Sequence, residues 1–139
     1  MMNAQLKTPD QVRTFALAGN ATLTLVSKAT GNRFTFKIRK PGEHDPHFVK
    51  LLNGADNESD YTFLGTIFDR KTFRHGKRSR VGEDAPSAKA FRWFWDQIEQ
   101  GQLSEKVEVW HEGRCGRCGR KLTVPSSIES GIGPVCEGV

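Results

Sequence analysis

His111, Cys115, Cys118 and Cys136 fall at the spacing H-x3-C-x2-C-x17-C, and no other feature constrains the chain as much. One imidazole and three thiolates are the ligand set of a closed structural zinc site. These are all the cysteines the chain has. Three cannot all pair as disulfides, and a C-x2-C in a reducing compartment points to metal or redox chemistry. A redox motif of the thioredoxin kind would sit in a βαβ unit. Here Gly116 and Arg117 fill the gap and no helical pattern follows at once, so metal is the stronger reading. Glycine after each cysteine of the C-x2-C pair, Gly116 and Gly119, suits the tight backbone bend of a zinc knuckle. Cys115, Cys118 and Cys136 are the expected thiolate ligands and His111 the expected fourth. His44, His47 and His75 compete with His111 for that place. A catalytic zinc with water in the fourth position fits three thiolates poorly, and no general base lies nearby in sequence.

The residues before this cluster read as an α+β body. Thr8-Pro-Asp-Gln11 has the capping residue, N1 proline and capping-box glutamine of a helix start, and Gly19-Asn20 stops it. Residues 21–28 and 33–39 alternate apolar and polar, with Phe34, Phe36 and Ile38 on one side of the second run. Joined by Ala-Thr-Gly-Asn, they predict an antiparallel hairpin with one wet face. Residues 48–52 and 61–68 read as two more strands, the latter with a bulge or close backbone approach at Gly65. Phe91, Phe94, Trp95 and Ile98 mark the clearest helix, about residues 87–100. Val107, Val109 and Trp110 form a further strand running into His111. The expected architecture is an antiparallel sheet of about four to five strands with a packed helix, plus a C-terminal zinc knuckle or ribbon-like module. The division falls between a body at 1–107 and a module at 108–139.

The net charge of +5 is more than accounted for by one segment. Residues 70–82 hold Arg70, Lys71, Arg74, Lys77, Arg78 and Arg80 and no acidic residue. Such a cluster attracts polyanions through counterion release without reading sequence. Arg114, Arg117 and Arg120 around the knuckle, and Arg33, Lys37 and Arg39 on the hairpin, could extend it. Phe73, Trp93 and Trp110 are candidates for stacking on bases. The bland alternative is a solvated loop whose charge serves solubility.

Cys115-Gly-Arg-Cys118-Gly-Arg-Lys-Leu-Thr123, followed by Gly131-Ile-Gly-Pro-Val-Cys136, resembles a small zinc-module family of phage and mobile-element proteins. In that family Cys-Gly-x-Cys-Gly-Arg-x-Leu-Thr leads to Gly-x-Gly-Pro-x-Cys. The resemblance covers residues 108–139 and implies a zinc-binding module of phage or mobile-element origin. Three residues follow Cys136, so no recognition helix is expected after the last ligand.

The leading expectation is a small, non-enzymatic, zinc-stabilised nucleic-acid-binding protein, taking DNA or RNA. The alternative is a phage-encoded inhibitor or adaptor that targets a host enzyme or defence complex. An enzyme ranks last. His111-Glu112 lacks the His-x-Glu and Pro-Cys-x-x-Cys of zinc deaminases. Asp56, Glu58 and Asp60 sit in a turn signal, where acids are common anyway. No apolar run reaches the length of a membrane span and the N-terminus lacks a signal-peptide core, so a cytoplasmic protein is expected, in the host if phage-encoded.

Overall fold

The computed structural model describes residues 4–52, 61–111, 115–117 and 132. In chain order the elements are β1 (Ala4–Leu6), α1 (Pro9–Ala16), β2 (Asn20–Ser27), β3 (Arg33–Arg39), β4 (His47–Leu52), β5 (Tyr61–Phe68), β6 (Thr72–His75), α2 (Pro86–Glu99) and β7 (Val107–His111). The class is α+β as expected. The sheet is wider, with seven antiparallel strands in the order β1-β7-β2-β3-β4-β5-β6 among the described residues. The two additional strands, β1 and β6, are edge strands of three and four residues. Neither is long enough to show an alternation.

The expected signals shape the elements locally. Thr8 Oγ1 accepts from Gln11 N–H at 3.1 Å, and Gln11 Oε1 accepts from Lys7 N–H at 3.1 Å, which caps α1 from both sides of its start. Helix α2 begins at Pro86 and has no side-chain cap, because Ala85 occupies the capping position. Gly101 ends it at φ 72°, in the left-handed region that glycine tolerates. The β2–β3 register sets Leu23 opposite Phe36 and Leu25 opposite Phe34, so both apolar rows lie on one face.

Both helices cover that face. Val12, Phe15 and Ala16 of α1 and Phe91, Phe94, Trp95 and Ile98 of α2 join Leu23, Phe36, Ile38, Val49, Ile67 and Val109 in one core. The Phe91 ring is its centre, 4.8 Å from Phe36, 4.9 Å from Phe73 and 5.8 Å from Phe94. These tilted and edge-on contacts add to the burial of each ring.

In β5 the register against β4 shifts between Val49 and Lys50. Lys50 opposes Phe63 and Val49 opposes Gly65, which leaves Leu64 as the extra, bulged residue. A Cβ on Gly65 would meet the Arg74 carbonyl and, at 2.6 Å, the Phe73 ring. The glycine therefore lets β6 and Phe73 close down on the sheet.

The other face carries neither helix. By register it presents Thr22 and Thr24 of β2, Arg33, Thr35, Lys37 and Arg39 of β3, Phe48 and Lys50 of β4, Phe63 and Thr66 of β5 and Arg74 of β6. Thr24 and Thr35 share a hydrogen bond of 2.8 Å between their hydroxyls on this face.

Candidate nucleic-acid interface and C-terminal clamp

The basic segment is a hairpin turn, an edge strand and the loop beyond it, so six cations are held on structured backbone. Asp69 and Arg70 both take left-handed φ, 54° and 59°, with Lys71 N–H bonded to the Phe68 carbonyl at 2.9 Å. This is the φ signature of a type I′ turn, which normally selects Asn-Gly. Two side chains fasten it from the helix layer. Arg13 Nη2 donates to the Arg70 carbonyl at 2.7 Å, and Trp95 Nε1 donates to the Lys71 carbonyl at 2.7 Å. Arg74 lies across from Thr66 and is exposed on the open face. Lys77, Arg78 and Arg80 are exposed in the following loop, which Ser79 ties to the sheet through a 2.7 Å bond to the Phe63 carbonyl.

The six cations are thus not one flat strip. Arg70 and Lys71 sit at the turn beside the helices, Arg74 faces the open side, and Lys77, Arg78 and Arg80 continue from its end. Phe73 does not serve as a stacking platform, because β6 turns it inward against Phe91. Trp110 lies opposite Thr24 on the open side, partly buried, with its Nε1 donating to Glu108 Oε1 at 3.3 Å. Trp93 is 41% exposed beside a cleft lined by Leu25, Phe34, Ala90 and Val107.

Of the four expected metal ligands, His111 and Cys115 are described, while Cys118 and Cys136 lie outside the described residues, as do Arg114 and Arg120. His111 pairs with Leu23 across β7 and β2, so its ring points to the helix-covered face and is fully buried. It lies 5.5 Å from the Phe15 ring. Cys115 is buried in the same core. Arg117 N–H donates to Cys115 Sγ at 3.4 Å. Gly116 seats the turn on the body. Its carbonyl accepts from Asn20 N–H at 2.7 Å, and a Cβ there would meet the Phe15 ring at 2.8 Å. Ile132 is buried in the body core as well.

The competing histidines fare differently. His47 is buried, 2% exposed, and its Nε2 donates to the Leu17 carbonyl at 3.0 Å. Burial lowers its pKa below the ordinary value, the nearby Arg70 and Lys40 charges lower it further, and the hydrogen bond acts in the opposite sense. His44 is exposed in the β3–β4 loop, and His75 lies opposite Gly65 at the end of β6. The sequence had not singled out Phe48, Phe63 or Lys50. Their shared face becomes visible only when the bulge at Leu64 fixes the register of β5.

Residues 109–139 match a family of unknown function, DUF6011. No curated protein and no solved structure was found to match the chain. Among the described residues no helix is long and apolar enough to cross a membrane.

Proposed function

We propose that this chain is a nucleic-acid-binding protein whose C-terminal cysteines and His111 hold a structural zinc ion. The observation that carries the binding reading is the exposure of Arg74, Lys77, Arg78 and Arg80 on and beside an edge strand, in a segment without a single acid between residues 70 and 82. Cations on anchored backbone can meet phosphates at lower entropic cost than a free loop would. The zinc reading draws on a buried imidazole and a buried thiol that both face the helix layer, with a backbone N–H on the sulfur. In this role the metal fixes the fold of the module, and the body presents the charge.

An anisotropy titration with labelled DNA and RNA at low salt tests the binding. The expected result is saturable binding whose log affinity falls linearly with log salt concentration. Absence of binding at low salt would overturn it.

A second reading, an inhibitor or adaptor acting on a protein, draws on Trp93. A large aromatic exposed beside an apolar cleft is a common anchor of protein interfaces. Capture of one stoichiometric protein partner, lost in Trp93→Ala, would favour it.

A further inference from the structure

The open sheet face combines charge with accessible rings, and that combination specifies more than phosphate attraction. Pairing register lays its residues out in rows across the strands. One row runs Thr22, Lys37, Lys50, Phe63. The next runs Arg39, Phe48, Thr66, Arg74. Strands lie about 4.8 Å apart and alternate residues of one strand about 6.6 Å apart, so the two rows form a compact patch.

Three observations on this patch point to a ligand. First, Lys37 and Lys50 stand directly opposite one another on neighbouring strands. Like charges in that position destabilise a sheet, and a bound anion would relieve the repulsion. Second, among the described residues no acid shares the outward rows of β3, β4, β5 and β6. Third, aromatic rings interleave with the cations. Phe48 and Phe63 meet edge-on at 6.5 Å and both remain partly exposed, and Lys37 Nζ lies 5.2 Å above the Tyr61 ring. The Phe63 ring lies over Gly76, where a Cβ would strike it, so the chain leaves room for the ring in this orientation.

We propose that this face, centred on Lys37, Lys50, Phe48 and Phe63, is a seat for single-stranded nucleic acid. The inference rests on the nucleic-acid reading above and names its substrate class. A duplex offers phosphates but keeps the faces of its bases stacked inside. Rings standing among cations gain from a ligand whose bases are free to stack on them. Lys37, Lys50, Arg39 and Arg74 take the phosphates while Phe48 and Phe63 take bases. The loop that carries Lys77 and Arg78 continues the charge past Phe63.

The test compares labelled oligothymidylate, oligouridylate and a mixed-sequence duplex of equal length, at two salt concentrations, on the full chain. Three proteins are used: wild type, Phe48→Leu, and the Lys37→Gln/Lys50→Gln double variant, each checked for folding by circular dichroism. The expected result is tighter binding of one or both single strands than of duplex. Phe48→Leu should lose about tenfold on the single strand with little change on the duplex. The double variant, altered only at surface amines, should lower the salt slope by about 1.4 on the single strand, near 0.7 for each phosphate contact. Binding of all three ligands with equal affinity, untouched by either variant, would overturn the seat and leave the nucleic-acid reading standing. Preference for duplex would do the same. Failure of every ligand to bind at low salt would overturn both.

Discussion

The indole N–H of Trp95 in α2 donates to the carbonyl of Lys71 at 2.7 Å, at the turn that leads into the edge strand β6. A buried side chain thereby fastens the turn that carries Arg70 and Lys71. Replacing Trp95 with Phe keeps most of the apolar contact and removes the donor. The expected cost is about 1–3 kcal/mol, from the lost bond, the unpaired carbonyl and the smaller ring. Urea unfolding measures it. An unchanged midpoint would mean that the bond contributes nothing to holding the turn.

Gly65→Ala tests the packing of β6. The added methyl would run into the Arg74 carbonyl and the Phe73 ring, and backbone cannot swing aside as a flexible side chain can. We expect a loss of about 1–3 kcal/mol, as for overpacked cores, together with weaker nucleic-acid binding because Arg74 moves with its strand. Full stability in the alanine variant would contradict the close approach.

His47 makes stability depend on pH with a definite sign. Its folded pKa lies below the ordinary histidine value, chiefly because burial penalises the cation. The unfolded chain takes up the proton first as pH falls, so the contribution is full above about pH 6.5 and is lost progressively below it. His47→Gln retains a donor for the Leu17 carbonyl but cannot titrate. Thermal melts between pH 7.5 and about 5 should show a steeper decline in the wild type than in the variant. Parallel curves would show that His47 has no part in it.

The proposed zinc site predicts a stoichiometry. Metal analysis of the purified protein should give about one zinc per chain, and Cys118→Ser should reduce it sharply. Loss of metal should also disturb the body, since Cys115 and Ile132 are buried in its core and Gly116 rests on Phe15. Near-ultraviolet circular dichroism after chelation would register this through the aromatic cluster. A metal-free protein with an unaltered spectrum would contradict the proposed zinc site.

What the sequence made legible was local. The alternation of Phe34, Phe36 and Ile38 placed β3 and its inward face correctly, and the spacing of Phe91, Phe94, Trp95 and Ile98 did the same for α2. Gly65 announced a close backbone approach or a bulge, because a glycine inside a strand has few other uses. β1 and β6 escaped because a three-residue strand has no period, and β6 holds one apolar residue, Phe73, among charged ones. Charged side chains are also what an exposed edge needs to avoid pairing with another chain. The open face was only half legible. Arg33, Lys37 and Arg39 could be seen on the hairpin. Their alignment with Lys50, Phe48 and Phe63 depends on pairings between strands and on a bulge that no periodicity records.

The sheet order has a kinetic consequence. Strands β2 to β6 form a meander in which every neighbour follows its predecessor along the chain. β7 instead inserts between β1 and β2, setting Leu6 opposite Val109 and Leu23 opposite His111. Closing loops of that length is slow compared with zipping hairpins. During synthesis the meander can form while Leu6 and Leu23 still wait, with apolar edges unpaired, for a strand not yet made. The strand they wait for ends at His111, so the residue proposed to open the zinc site arrives in the same step that completes the sheet.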